Sequence, residues 1–267
     1  MLIKIIAVQS RMGQKLSLSE KIHIFKERPD FVCLPEYSLM DKSIADYHRA
    51  ALLYRDHLDY LIHLSDELRT CLIAGTIVEP EESRLYNSCF VINRGLVLGR
   101  YRKRYPVAGE QRKGISAGDR NLVLEVNGVR LGLMVCGDVF FPHMYGELGE
   151  AETDLIFVPT TSAYRPDDTI SRKKDRDNTY FQSGAGTAGA YVIKVCSVGR
   201  IFDTELHGRS LIAAPWGILR RVEFASESHP RILAEILDIT ELREFRRKLR
   251  QRPLVTRTAE DQTSRTK

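Results

Sequence analysis

The sequence predicts an α/β protein, and three observations predict it. Short apolar runs without charge recur along the chain, among them Phe31-Val32-Cys33-Leu34, Leu131-Gly132-Leu133-Met134-Val135 and Leu155-Ile156-Phe157-Val158. Uninterrupted runs of this length read as strands covered on both faces. Longer stretches with apolar residues at helical spacing fall between them, as at residues 16–28 and 45–70. The 267 residues are 43% hydrophobic, which is enough apolar material for a sizeable core in one large α/β domain or two small ones.

Residues 2–9 form the first buried strand. Residues 16–28 form a helix with Ser17 or Ser19 as cap and Leu18, Ile22 and Phe25 on its apolar face. Residues 31–34 are a second strand, stopped by Pro35. Residues 45–70 read as one long helix, with Leu52, Leu53, Leu58, Leu61, Ile62 and Leu68 supplying much of its apolar face. Residues 71–78 are a strand and 79–83 a polar turn. Residues 86–93 and 96–101 form a hairpin around Arg94-Gly95. The Gly-bearing loop 109–119 suits a pocket wall or lid. A second hairpin, 121–125 with 129–135, turns through Asn127-Gly128. Pro142 opens a short helix that runs to residue 150. Residues 154–159 and 191–196 are buried strands. Between them a charged helix start, 168–180, leads into small residues 181–190 that permit close packing of a helix on a sheet. Residues 211–214 and 218–224 pair across Pro215-Trp216-Gly217. Residues 232–237 make the last strand. Residues 240–251 make a basic helix with a narrow apolar face of Leu242, Phe245 and Leu249.

The net charge of +5 is the difference between 40 basic and 35 acidic residues, too small an excess to argue for a nucleic-acid partner. The five cysteines are an odd count with no Cys-x-x-Cys pair. With no leader pattern at the start, they favour a reducing compartment, and the expected location is the cytoplasm. No apolar run reaches membrane-spanning length, so no membrane partner is expected. The histidines show no ligand spacing, and neither a metal nor another cofactor is expected.

The chemistry centres on Cys136-Gly137-Asp138-Val139-Phe140-Phe141-Pro142, directly after an apolar strand. Gly137 makes a sharp turn cheap there, and Pro142 fits the first turn of a helix. A thiol at such an elbow sits near amide groups that favour the thiolate and can donate to an oxyanion. Glu36 follows the strand that Pro35 stops, at an edge where α/β proteins place catalytic groups. Lys103 lies in the basic run Tyr101-Arg102-Lys103-Arg104, and its compact ammonium can stabilise a developing oxyanion. Thr160, Thr161 and Ser162 follow another strand and can line a pocket. Each residue alone has a plainer explanation: a buried structural Cys, a helix-entry Glu, a solvated basic edge, ordinary turn residues. A thiol, a carboxylate and an ammonium that each follow a buried strand are more specific. Together they supply a nucleophile, a base and an electrophilic stabiliser for acyl transfer.

These motifs resemble those of the nitrilase (carbon–nitrogen hydrolase) superfamily. Leu34-Pro35-Glu36 is similar to the motif of its general base, Tyr101-Arg102-Lys103 to that of its Lys, and Cys136-Gly137-Asp138-Val139-Phe140-Phe141-Pro142 to that of its nucleophile. Glu110, in Gly-Glu-Gln, matches the second pocket Glu of many members. The resemblance runs from residue 1 to about 251 and includes Ser210-Leu211-Ile212-Ala213-Ala214-Pro215-Trp216-Gly217. It implies a four-layer αββα sandwich of the nitrilase type that associates as a homodimer or larger homo-oligomer. It also implies catalysis by Glu36, Lys103 and Cys136, with Glu110, Gly137 and Thr161 at the substrate. Gly137 stands where the family usually has an aromatic residue, which would widen the pocket floor or loosen the elbow. Phe140 replaces a frequent Arg. Asp138, in place of Glu, leans toward amidase or carbamoyl-type members.

The expected function is hydrolysis of a non-peptide C–N bond in a small amide through a Cys136 thioester. The expected hydrolase domain spans residues 1–251, and residues 252–267 are expected to be a poorly ordered polar tail. Two alternatives within the class are a nitrilase and an N-carbamoyl hydrolase. Of other classes, one alternative is a non-catalytic relative that binds or assembles, and another is a binder of nucleic acid through the basic helix at 240–252. That helix is more simply expected to pack its apolar face on a neighbouring subunit with its charges solvated.

Overall fold

Side chains alternate between two apolar layers along the strands of the first sheet, and this alternation sets the architecture. The computed structural model describes residues 1–251; the tail expected at 252–267 lies outside the described residues. Eight strands form the first sheet. Its main path runs Arg231–Asp238, Leu2–Gln9, Phe31–Cys33, Cys71–Ile73, Arg84–Asn93 and Ile77–Glu81, and Leu96–Arg102 and Ile115–Ser116 also pair with Arg84–Asn93. Ile3, Ile5, Ala7, Phe31, Cys33, Cys71, Ile73, Cys89 and Val91 point inward. Their neighbours Ile6, Val8, Val32, Leu34, Leu72, Ala74, Phe90 and Ile92 point outward, onto Ile24, Leu61, Leu64 and Leu68 of two helices. A period of two along each strand puts one set on each face.

The second sheet has six strands, in the order Gly217–Arg221, Leu211–Ala214, Tyr191–Cys196, Leu155–Thr160, Val129–Leu133 and Val123–Val126. Its inner face meets the first sheet, with Phe31 and Phe157 ring centroids 5.9 Å apart across the junction. Its outer face is covered by the helices Pro142–Glu150 and Ser183–Ala188, which contribute Met144, Leu148, Ala185 and Ala188 to the same core. The result is the αββα order of layers.

Several elements differ from the sequence expectation for local reasons. The helix Leu18–Glu27 is capped by Ser17, but it buries Ile24. Leu18 is 73% exposed, and Ile22 and Phe25 are also exposed: at 100° per residue, Ile22 stands some 200° around the helix from Ile24. The long helix expected at 45–70 is two, Tyr47–Leu52 and Tyr54–Leu68, broken at Leu53, and it leaves Leu52 exposed. The strand expected at 71–78 is split by Gly75 at φ +63°. The expected turn at 79–83 is mostly strand, Ile77–Glu81, with Glu79 buried against Ser88, Arg100 and Arg102. The loop at 109–119 holds a short helix, Ala108–Arg112, and the two-residue strand Ile115–Ser116. The return strand expected at 218–224 is Gly217–Arg221. A small hairpin, Gly199–Ile201 with Thr204–Leu206, was not anticipated.

The C-terminal helix, Ile239–Arg250, packs on its own subunit. Leu242 is fully buried in the shared core, and Phe245 meets the Trp216 ring edge-on at 5.3 Å. Arg243 and Arg246 reach back to the buried Asp154. The face expected to serve a neighbouring subunit is thus largely used internally, with Leu249 alone of the three exposed.

Candidate active site

Glu36 is set by a tight turn at the end of the strand Phe31–Cys33. Leu34 N–H donates to Ile73 O at 2.9 Å, and Tyr37 N–H donates to Thr76 Oγ1 at 2.9 Å. Tyr37 takes φ +54°, so the chain reverses and leaves Glu36 1% exposed. Gly75 makes room for this: a Cβ there would stand 2.2 Å from Pro35 O. Lys103 follows the strand Leu96–Arg102 and is fixed by its N–H donating to Asn87 O at 2.9 Å. Cys136 follows the strand Val129–Leu133 by two residues and opens a single tight turn, Cys136–Phe140.

The left-handed backbone at that elbow belongs to Cys136 itself, at φ +43°, and not to Gly137. A non-glycine residue there is strained and needs its surroundings to hold it. Asp138 does much of the holding. Its carboxylate accepts from Val135 N–H at 2.8 Å, Tyr105 N–H at 2.8 Å and the Tyr101 hydroxyl at 2.7 Å. One buried side chain therefore ties the Cys136 turn to the segment that carries Lys103. Gly137 does not widen the pocket floor: a Cβ on it would meet Val107 Cγ1 at 2.7 Å and Tyr105 O at 3.1 Å. The missing side chain is replaced by the neighbouring loop.

Five of the six expected site residues are brought together by hydrogen bonds. Lys103 Nζ donates to Glu36 Oε1 at 2.9 Å and to Glu110 Oε2 at 2.7 Å. Thr161 donates to Glu36 Oε2 through its backbone N–H at 2.8 Å and its hydroxyl at 2.7 Å. The Cys136 thiol donates to Thr161 O at 3.4 Å. Gly137, the sixth, adjoins them, its missing Cβ 3.7 Å from Lys103 Cε. Glu110 lies behind Lys103 and accepts as well from Tyr37 OH at 2.8 Å and Val107 N–H at 2.9 Å. Thr161 links Glu36 to Cys136 and also lines the cavity at the thiol.

Asn87, Tyr37 and Tyr101 join the cluster and were not singled out for it, and Asp138, read only for its lean toward amidase or carbamoyl-type members, proves to hold the Cys136 turn. Asn87 Nδ2 bridges Glu36 Oε1 and Glu110 Oε1, each at 2.9 Å. Its signal was present, because an amide in the middle of an apolar strand needs buried partners. Tyr37 and Tyr101 carried no such signal, since a buried Tyr is ordinary.

The electrostatics follow from this packing. Burial alone pulls the Lys103 ammonium down, but Glu36, the Cys136 sulfur and Glu110 together outweigh it and hold its pKa well above the ordinary lysine value. Burial raises Glu110, but Lys103, Tyr37 and the Val107 N–H outweigh it, so this carboxyl lies below the ordinary value. Burial, reinforced by the negative charges of Glu36 and Glu110 and only partly offset by Lys103, raises the Cys136 thiol. Four of the five cysteines are buried, and Cys136 alone is partly open. It faces a cavity of about 130 Å³ lined also by Phe140, Thr161, Tyr180, Lys194 and Arg209.

Comparison with known proteins adds to this geometry. The carbon-nitrogen hydrolase family profile matches residues 7–247. A glutamine-dependent NAD(+) synthetase from Aquifex aeolicus is 27% identical over 247 residues, which cover 88% of this chain and 41% of that protein. The chain therefore spans less than half the length of that relative. An N-carbamoylputrescine amidase from Solanum lycopersicum is 26% identical over 191 residues, 66% of this chain and 62% of that one. Among solved structures, a carbon–nitrogen hydrolase from Helicobacter pylori superposes with a TM-score of 0.79 at 18% identity, covering 94% of this chain and 95% of that one. The last comparison bears on the fold.

Proposed function

We propose that this chain, which belongs to the carbon–nitrogen hydrolase family, hydrolyses a small amide through a thioester on Cys136. The observation that supports it best is the meeting of Glu36, Lys103 and Cys136. They come from segments far apart in sequence, and Thr161 hydrogen-bonds to both the carboxylate and the thiol.

The substrate carbonyl carbon lies against the sulfur. The S–H proton passes to Glu36 as the C–S bond forms. The oxygen takes up negative charge beside the Lys103 ammonium and the Gly137 N–H. Collapse of the intermediate breaks the C–N bond, and Glu36 returns its proton to the leaving nitrogen, releasing ammonia from a primary amide. Glu36 then takes a proton from water as that water attacks the thioester. The C–S bond breaks, the proton returns to sulfur, and the carboxylic acid leaves. Glu110, Asn87 and Tyr37 keep Lys103 and Glu36 in position throughout, and this positioning is what a preorganised site contributes.

The names of the relatives supply the first substrates to try: glutamine and N-carbamoylputrescine. Ammonia release from such a panel is the assay. Cys136→Ala is expected to abolish release while the thermal unfolding midpoint stays within a few degrees of wild type, and mass spectrometry of wild-type protein in turnover is expected to show an acyl group on Cys136. Undiminished ammonia release from Cys136→Ala would remove this mechanism.

A further inference from the structure

We propose that the amide substrate carries a carboxylate at the end remote from its scissile bond, and that Arg209 receives it. The substrate class rests on the hydrolase reading above, because the cavity concerned is the one that Cys136 faces.

The cavity is rich in positive charge. Cys136 and Thr161, the latter hydrogen-bonded to Glu36, line it together with four cations, Arg165, Arg176, Lys194 and Arg209, and no Asp or Glu among the described residues lines it. Two of the four are already answered from behind. Arg176 pairs with Asp168, and Lys194 Nζ donates to Asp177 Oδ1 at 2.9 Å. Arg209 is different. It is only 7% exposed, yet its Nε has no hydrogen-bond partner among the described residues. Its one ionic neighbour among the described residues is Asp177 Oδ2 at 3.6 Å, and that oxygen already accepts from Arg221. A buried guanidinium whose Nε–H lacks an acceptor is costly unless something else supplies one.

The position of Arg209 is also fixed. Gly208 N–H donates to Glu227 O at 2.7 Å, and Ser210 N–H donates to Gln9 Oε1 at 3.2 Å. The backbone that carries Arg209 is therefore held on both sides, and its side chain is buried in the wall. A planar fork of donors matches a carboxylate in two parallel hydrogen bonds. Arg165, which is exposed at the same cavity, adds positive charge without a carboxylate partner among the described residues. Phe140, Val139, Tyr180 and Phe181 supply apolar lining in the same cavity, which suits a short aliphatic spacer. A cationic amide would place its ammonium among these four cations, and so the cavity disfavours it.

The test compares three primary amides of matched length: glutaramate, pentanamide and 5-aminopentanamide. Ammonia release gives kcat/KM for each. A charge-assisted pair of this kind corresponds to roughly a ten- to hundredfold preference, so glutaramate is expected to exceed pentanamide by that factor and 5-aminopentanamide to be the poorest. A second measurement needs no turnover: glutarate binding to folded Cys136→Ala protein by calorimetry, expected to weaken tenfold or more when Arg209→Met or Arg209→Lys is added. Cleavage of all three amides without a carboxylate preference overturns the inference and leaves the hydrolase reading standing. Cleavage of none, with Arg209-dependent glutarate binding, upholds the anion site and overturns the hydrolase reading. Neither cleavage nor binding overturns both.

Discussion

Glu110 is held by Lys103, Tyr37, Asn87 and the Val107 N–H at once. Glu36 and Glu110 flank a single ammonium in a buried place, so the cluster holds two negative charges against one positive. Removing one partner of a buried pair typically costs about 3–5 kcal/mol, and Glu110→Gln is expected to fall at the lower end because the amide keeps some hydrogen bonds. Its kcat is expected to drop tenfold or more as Lys103 loses one of its two anchors. The pH dependence has a definite sign. The folded Glu110 carboxyl lies below its ordinary value, chiefly because Lys103 and its hydrogen bonds outweigh burial. Its contribution to stability is therefore fully present above the unfolded value of about 4.3 and is lost as pH falls through the lower folded value. Denaturant midpoints measured from pH 6 down to pH 3 should decline in wild type and decline less in Glu110→Gln; equal slopes would mean that the charge contributes nothing. At this scale the members of the cluster were legible, because Glu36, Lys103 and Cys136 each follow a strand, and hydrogen bonds through Thr161 and Lys103 join the three. What was not legible was which backbone carries the strain. The sequence favoured Gly137 for the positive φ, but Cys136 takes it, because Asp138 clamps the turn from three sides and Val107 fills the space beside the glycine.

Elements were legible where their burial was uniform and misjudged where a partner decided it. The strands at 2–9, 155–160 and 191–196 are covered on both faces, so their apolar runs alone identify them. The helix Leu18–Glu27 has apolar residues on more than one face, and only the neighbouring helix and sheet select Ile24. The C-terminal helix is the clearest case. Its many arginines look like a solvated or anion-seeking face, yet Arg243 and Arg246 are spent on Asp154, which is 1% exposed, and Arg250 donates to Glu152. Much of the charge that suggested a nucleic-acid surface is neutralised within the fold. Asp154 also accepts from Arg130 N–H at 3.1 Å, while Arg246 donates to Thr153 O at 2.8 Å and Arg243 to Gly128 O at 2.7 Å. The helix is thus clamped to the edge of the second sheet at one point. Asp154→Ala is expected to cost about 2 kcal/mol, below the figure for a fully buried pair because Arg243 is nearly half exposed and keeps much of its solvation. Amide hydrogen exchange within Ile239–Arg250 should speed up while that of the central strands stays unchanged; protection retained along the helix would show that Leu242 and Phe245 hold it without the clamp.

At the scale of the molecule, the candidate site lies on the seam between the two sheets. Glu36 and Lys103 follow strands of the first sheet, and Cys136 and Thr161 follow strands of the second. The seam is also the core. Inward residues of the first sheet, from Ile3 to Val91, form one continuous apolar cluster with Leu131, Phe157, Ile193 and Ile212 of the second. Composition allowed one large domain or two small ones, and it could not choose, because nothing in a strand's own sequence says which sheet will face it. The chain closes the arrangement by returning its last strand, Arg231–Asp238, antiparallel to its first, Leu2–Gln9, over eight residue pairs. Neither sheet can separate without exposing its inner face, at roughly 25 cal/mol for each Å² of apolar surface, and a half-molecule would expose too much of it to persist. Heating in a calorimeter is therefore expected to give one transition, with the calorimetric and van't Hoff enthalpies in agreement. Amidase activity, wherever the substrate panel reveals it, should vanish over the same temperature interval, because pulling the sheets apart also pulls the thiol from the carboxylate. Two resolved transitions, with activity lost at the first and half of the heat remaining for the second, would show that the sheets are separable units joined at the site and would overturn the single-core account.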